Sequence, residues 1–480
     1  MHIFIFNRGL RLTDNTTLIH QIKEIGSVVP IFIFTPEQIE PKKNSYFSNN
    51  SVQFMIESLR ELADEIKKKG GKMYFFKGDN TQVLNCLHKI NNIESIGMNY
   101  DYTPYARERS NNIKKFCIDN NIIFYEKEDY VIHDILEGMT KKKNNTPYLV
   151  FTPFKNYCID NLKVREVDNF KLFKFTKIKE LENSKSKQCL YLDINQIDFY
   201  KDNININVHG GRINGLKILK NIGQFKNYSK DRDTLTYKTT FLGAHNHFCT
   251  VSVREVYWAM VDKMGKHSGL VSGMYWRDFY INITHEFPHV LKGQISGKNQ
   301  SYKHKYDNIN SKPKSSNKKW FEKWCNGTTG FPVVDAAMRQ LNTTGFMHNR
   351  ARMFTCSLLY KDMHIHWRYG EKYFATKLVD YDPMSNNGGH QWVYGSGTDG
   401  QPWFRIFNPW SQQEKFDKEC EYIKKWVPEL ETVPNKDIHK WFKPEVHKKW
   451  LDQGIQYIEP ILDHDIERKI TLKEYKEGLD

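Results

Sequence analysis

The chain has 480 residues, 14% of them aromatic, and a formal net charge of +15 at pH 7. That length supports two or three domains with large cores, and a mean hydropathy of -0.67 with no long apolar run excludes a membrane-spanning helix. The positive balance suits a polyanionic partner, and eight cysteines without a CxxC pair give no zinc or iron–sulfur spacing.

In chain order, His2–Phe6 is an apolar run that predicts a strand at the very start, so no cleaved targeting segment is expected. A reduced, intracellular, soluble protein is the expectation. A polar loop with Arg8, Arg11 and Asp14 follows, then a second buried-strand pattern over Ser27–Phe34. Ser51–Lys69 has helical spacing, Lys72–Phe76 reads as strand, Gln82–Ile90 as helix and Ile93–Met98 as strand. Tyr105–Asp119 reads as helix and Ile122–Tyr125 as strand. Alternation of helices with continuously apolar strands predicts a doubly wound parallel sheet in an α/β domain over 1–130. No GxGxxG follows the first strand, so the dinucleotide fingerprint is absent. Residues 131–209 are polar at Lys141–Asn145 and Asn183–Gln188 and weakly periodic, which predicts a long connector over the surface. From 210 to 480 helical spacing dominates: Val253–Met264, Trp276–Thr284, Val333–Leu341, Arg350–Lys361 and Tyr373–Leu378, with Ser252 placed to cap the first.

The densest polar and aromatic cluster is Asp380–Trp392, DYDPMSNNGGHQW. It is preceded by Gly345–Met353, GFMHNRARM, and followed by Phe404–Pro409, FRIFNP. In these stretches the chain resembles the photolyase/cryptochrome family, in particular the class I cyclobutane pyrimidine dimer photolyases. Thr329–Leu341, TGFPVVDAAMRQL, and Trp276–Tyr280, WRDFY, match as well, and Asn7–Asn15, NRGLRLTDN, more loosely. The likeness spans nearly the whole chain and is weakest at 130–225.

The resemblance implies an α/β plus all-α protein, the sheet domain followed by a helical domain that binds FAD in a bent shape and works with its reduced form. It places Tyr228, Thr239, Thr240, Phe241, Leu242 and Gly243 around the phosphates and sugar, where hydroxyls and backbone N–H groups are suitable donors. Gly243 stands where the family often has Ser, which removes one hydroxyl. Arg277, Asp380 and Asp382 are expected at the flavin ring as a buried Arg–Asp arrangement, Asp382 accepting from N3–H, and Asn349 is a further cofactor contact. Asn386 is expected to face N5, where a neutral amide can either accept or donate.

The same resemblance implies a pocket for a pyrimidine dimer flipped out of UV-damaged DNA, and a monomeric enzyme with no membrane partner. Trp276, Asn349, Arg350, Met353 and Trp392 build the pocket, the two indoles sandwiching the bases. Arg232, Arg350 and Gln412 hold flanking phosphates. The implied activity is that of a light-dependent carbon–carbon lyase, a deoxyribodipyrimidine photolyase. His348-Asn349-Arg350 resembles the dimer enzymes rather than the (6-4) photolyases.

Three departures stand out. Gly273, beside the pocket, occupies the place of a family Glu that hydrogen-bonds the lesion. His390 replaces the flavin-proximal Trp of the electron-transfer chain, Trp367 matches the middle member, and Trp320 is a candidate outer one beside a Lys-rich insertion at 285–319. Photoreduction is therefore expected to be impaired or re-routed, through Trp392 or nearby tyrosines. Asn99–Arg109, NYDYTPYARER, lacks the Asn-Glu pattern of folate-binding members and is closer to deazaflavin-type or antenna-free ones, so a second antenna chromophore stays unassigned. The rival reading is a cryptochrome-like blue-light photoreceptor without repair. Asn386, the retained pocket residues and an end at Asp480 without a long tail favour the enzyme.

Overall fold

The computed structural model describes residues 1–182, 188–292, 315–400 and 404–477. Six strands form one sheet: β1 (His2–Phe6), β2 (Val29–Phe34), β3 (Tyr74–Lys77), β4 (Ser95–Asn99), β5 (Ile123–Lys127) and β6 (Tyr191–Leu192). Their order is β5-β4-β1-β2-β3-β6, with β1 to β5 parallel and β6 antiparallel on the β3 edge. Side chains alternate across the pleat, and the sequence uses that period cleanly. Phe4, Phe6, Phe32 and Phe34 enter one core with Phe54 and Leu59, while Ile3, Ile5, Ile31 and Ile33 enter the other with Val83 and Ile113. The helices Thr16–Ile25, Asn49–Lys68, Asn80–Ile90 and Pro104–Asp119 supply the covering faces.

The connector is more structured than its composition implies. It holds the helix Phe151–Asn161, the strand β6 and a bridge from Phe175 to Val28. Its scattered aromatic residues explain this: Phe151 and Phe154 pack into the helical core and Phe173 into the sheet core. Most of the polar run Asn183–Gln188 lies outside the described residues, as does 293–314 of the Lys-rich insertion. The expectation of reduced thiols is corrected at one pair. Cys86 and Cys189 form a disulfide across 103 residues, joining the Asn80–Ile90 helix to the turn before β6. Only the tertiary fold brings their Cα atoms to 5.4 Å, so sequence spacing gives no sign of it.

Among the described residues of the second half, helices carry the structure. Ser252 caps Val253–Met264 in a full capping box with Glu255. The Trp276–Thr284 pattern is the later part of a longer helix, Gly269–Glu286, whose early glycines hid its start. Arg350–Lys361 is an α-helix, Asn349–Ser357, that widens into a π-turn at Leu358–Asp362. Trp367–Lys377 and Pro383–Tyr394 pack against each other. No described helix is long and apolar enough to cross a membrane.

The chain runs β1→β2→β3 and then returns to the far side of β1 for β4, so the sheet's switch point lies between β1 and β4. The crevice there is filled by the protein's own charges. Arg254, 1% exposed, reaches Asp14 at 2.6 Å and Asp129 at 3.0 Å. Arg11 meets Asp129 at 2.8 Å, and Asp14 Oδ1 accepts from the backbone N–H of Asp168 in the connector. Burial alone would raise the Asp129 carboxyl, but Arg11 and Arg254 hold it at about 2.

Candidate functional site

A cleft in the helical part is lined by Tyr228, Thr239, Thr240, Phe241, Leu242, Gly243, Asn349 and Asp380, together with Arg352, Phe346 and Leu270. Tyr228, Thr239–Gly243, Asn349 and Asp380, from four separate chain segments, thus meet where sequence reasoning placed one ligand. Phe241 has a φ of 55°, a left-handed turn that bends the loop just before the short helix Gly243–Phe248. Gly243 has a local reason. A Cβ there would stand 2.5 Å from Asp380 Oδ2, so the glycine makes room for the carboxylate, which pairs with Arg352 at 3.3 Å.

Asp382 starts the Pro383–Tyr394 helix and does two jobs. Its Oδ1 accepts from the Ser385 N–H as an N-cap, and its Oδ2 lies 3.3 Å from both Arg8 Nη2 and His247 Nδ1. Burial would raise this carboxyl, but the His247 hydrogen bond and the Arg8 charge keep it well below the usual carboxylate range. The expected grouping of Arg277 with Asp380 and Asp382 is corrected. Arg277 pairs with its neighbour Asp278 at 3.3 Å and donates to the Tyr130 carbonyl. Arg8, arriving from the end of β1, is closer to Asp382 in function than any arginine of the helical part expected from sequence.

Asn386, one turn into the same helix, is buried and fixed from behind. Its Nδ2 donates to the backbone carbonyl of Glu371 at 3.1 Å and to Glu371 Oε1 at 3.0 Å. Both amide protons are therefore used, and the free group is the Oδ1 acceptor. Glu371 also meets the Tyr46 hydroxyl, and burial pushes its carboxyl up to about 7. Sequence reasoning missed Glu371 and Tyr46, since neither lies in a recognisable motif.

Trp276 stacks on Phe151 of the connector helix with centroids 3.7 Å apart and planes 10° apart. Phe151 thus covers one indole face, and Tyr280 lies 5.7 Å from the same ring at 32°. One turn on, Tyr280 packs on Gly388, where a Cβ would collide with its ring, so the glycine lets the two helices close. Asn349 is exposed at the first turn of its helix and borders the cleft. Arg350 is tied to Asp233 at 2.6 Å and lies 4.6 Å over the Phe416 ring, and Arg232 is exposed. Met353 and Trp392 are half-buried against the helical core, and Gln412 is half-buried with its Oε1 enclosed and unpartnered. Gly273 is exposed, and nothing lies within 4 Å of a Cβ built there.

His390 is buried, and its Nδ1 hydrogen-bonds the hydroxyl of Tyr360 and lies 3.6 Å from Cys356 Sγ. Burial, then Arg352, lowers this imidazole to about 3, so it is neutral. Trp367 is buried next to His366, with rings 5.7 Å apart, and Trp320 is partly buried against the same core.

The donor set fits FAD: hydroxyls and small residues along one wall, a fixed amide acceptor in Asn386, and Arg277 Nε buried without a hydrogen-bond partner. No group of acidic, cysteine and histidine side chains among the described residues forms a metal site.

Residues 2–171 match the DNA photolyase family model, and residues 270–477 match the FAD binding domain of DNA photolyase. The deoxyribodipyrimidine photo-lyase of Buchnera aphidicola (from Acyrthosiphon pisum) is 31% identical over 98% of this chain and 96% of its own length. That of Escherichia coli is 30% identical over 99% and 98%. Among solved structures, the archaeal photolyase from Sulfolobus tokodaii, which holds two FAD molecules, superposes with a TM-score of 0.83 at 36% identity, covering 99% of both chains. The bacterial class III photolyase from Agrobacterium tumefaciens gives 0.85 at 27% identity, covering 99% of this chain and 97% of its own. The cryptochrome of Synechocystis, at 0.80 and 23%, shares the fold. The chain belongs to the DNA photolyase family and carries that family's FAD-binding domain.

Proposed function

We propose that this chain is a light-dependent deoxyribodipyrimidine photo-lyase that splits cyclobutane pyrimidine dimers in UV-damaged DNA. The observation that carries the reading is the convergence of Tyr228, Thr239–Gly243, Asn349 and Asp380 on one cleft, with Asn386 pinned by Glu371. FAD, when bound in its reduced form, supplies the photoexcited electron that opens the dimer. The residues bind and position. Thr239, Thr240 and Tyr228 hold phosphate and sugar. Asp382, kept ionised by Arg8 and His247, accepts from a ring N–H. Asn386 presents only its carbonyl, which selects a protonated N5 over a bare one. That choice matches the reduced state and sharpens what the amide alone left open.

On the DNA side, the indoles of Trp276 and Trp392 stack on the flipped bases, while Asn349 reads a pyrimidine edge and Met353 fills the wall. Arg232, Arg350 and Gln412 hold the flanking backbone, and the charge of +15 adds counterion release to affinity. His390 and Trp367 belong to the supply of electrons to the flavin rather than to the dimer. The protein acts as a monomer, and any second chromophore is unassigned. The test is blue light on the reduced protein with dimer-containing DNA, read as recovered thymines. Bound FAD without recovery would overturn repair in favour of a photoreceptor.

Gly273 yields a separate expectation. The open space around its Cβ accepts a longer side chain, and Gly→Glu in an exposed helix interior gains about 0.5–1 kcal/mol of helix propensity. Gly273→Glu is expected to bind dimer-containing DNA several-fold more tightly than the parent, measured by light-excluded titration. Unchanged affinity would show that the glycine is not a missing lesion contact.

A further inference from the structure

We propose that Tyr360 and His390 form a proton-coupled electron donor that reduces oxidised flavin in the light, Tyr360 giving the electron and His390 taking the proton. The proposal rests on the FAD reading above and concerns a different process from dimer splitting.

The geometry begins at Asn386. His390 is four residues further along the same helix, roughly 6 Å along its axis. The facing helix Trp367–Lys377 repeats the step: Glu371 holds Asn386, and one turn on the Phe374 ring meets His390 edge-on at 4.9 Å. His390 therefore stands directly behind the amide assigned to the flavin. Tyr360 reaches it from the π-turn Leu358–Asp362, a widened turn that redirects side chains from the regular helical path. Its hydroxyl hydrogen-bonds His390 Nδ1, the ring centroids are 6.0 Å apart, and both side chains are buried.

The proton has a defined destination. A phenol that loses an electron becomes a far stronger acid than a protonated imidazole, even one in a low-dielectric core, so its proton moves along the hydrogen bond already in place. The competing acceptor, the Trp367 carbonyl, is 3.3 Å from the hydroxyl and cannot be protonated in practice. Cys356 Sγ, 3.6 Å from Nδ1, is a weak partner. The imidazole is neutral, with Nδ1 at the hydroxyl, and so can take the proton; burial and Arg352 make it a weak base that readily gives the proton back. In the step, Tyr360 passes one electron to the photoexcited oxidised flavin. The phenolic O–H breaks, and an N–H forms on His390 Nδ1. Tyrosine is oxidised and flavin is reduced by one equivalent. A thiol from solution returns the electron to Tyr360, and His390 returns the proton. The aromatic path continues through Tyr394, 5.9 Å from Tyr360, to His366 at 5.7 Å and Tyr475 at 5.9 Å.

The experiment uses the purified holoprotein with oxidised FAD, excess thiol and blue light. FAD content is measured first. Flavin reduction is then followed by absorbance, and freeze-trapped samples by EPR. The expected trapped species is a neutral tyrosyl radical whose hyperfine pattern collapses when ring-deuterated tyrosine is incorporated, with reduction slowed in heavy water. Tyr360→Phe, which deletes only a hydroxyl, is expected to remove the signal and slow reduction on the order of a hundredfold, as is His390→Gln. A tryptophanyl signal, the absence of a solvent isotope effect, or an unchanged rate in folded Tyr360→Phe would overturn the proposal and leave the FAD reading intact. A protein without FAD would overturn both. Should Tyr360→Phe fail to fold, the labelled, unsubstituted protein still decides between tyrosine and tryptophan.

Discussion

Arg254→Ala is expected to destabilise the protein by about 3–5 kcal/mol near neutral pH, because it strips the shared partner from two buried carboxylates. Arg254 bonds Asp14 through Nε and Asp129 through Nη2, and its Nη2 also donates to the Asp14 carbonyl at 3.0 Å. Arg11 alone would be left to balance Asp129. The pH dependence follows from Asp129, whose carboxyl is held at about 2, below its ordinary 3.8. A depressed carboxyl contributes stability that is present above the unfolded value and is lost as pH falls through the folded one. Removing Arg254 relaxes that depression, so the gap between parent and variant should shrink as pH falls from 5 toward about 2. Urea unfolding of both proteins across that range checks it. A loss below about 1 kcal/mol at pH 7 would show that the charge pairs are worth no more than surface ones.

Glu371→Gln should remove a slope of the opposite sign. Burial raises Glu371 from 4.5 to about 7. A raised carboxyl makes the folded state bind more protons than the unfolded one between those values. Stability is full below the unfolded pKa and falls as pH rises through the folded one. The whole shift corresponds to up to about 3 kcal/mol at one pKa unit per about 1.4 kcal/mol. Gln cannot ionise, so the variant should gain on the parent from pH 4.5 to about 7, then hold a constant advantage. Its amide can also donate, which lets Asn386 turn its own NH2 toward the ligand. Tighter retention of oxidised over reduced FAD in the variant is the matching spectroscopic sign. A variant whose stability tracks the parent's at every pH would show that Glu371 is not the titrating group.

The two halves of the fold were legible for different reasons. The sheet domain is legible because its strands are continuously apolar and alternate with helical spacing, as strands buried on both faces between separate cores must be. The motif Asp380–Trp392 is legible because its spacing is local: cap, amide and aromatic all lie on one helix. What escaped notice depends on chain closure. Arg254 meets its acids across 240 and 125 residues, and Tyr360 meets His390 across 30 residues between two helices. The ion-pair partners within the expected Arg–Asp arrangement are equally hidden: Arg277 pairs with its neighbour Asp278, and Arg8 arrives from 374 residues away to meet Asp382. The connector shows only weak periodicity because its anchors are single aromatic residues without a period.

Arg8, two residues past β1, touches Asp101 of the sheet domain and Asp382, the N-cap of the Pro383–Tyr394 helix, at once. Together with Arg254 it makes the junction a set of crossed, buried ties rather than a sliding surface. Rocking of one half on the other would have to pull ionised groups apart inside the protein. A light-harvesting group carried by the sheet domain would accordingly keep one distance and one angle to the cleft, which is what resonant transfer of excitation requires.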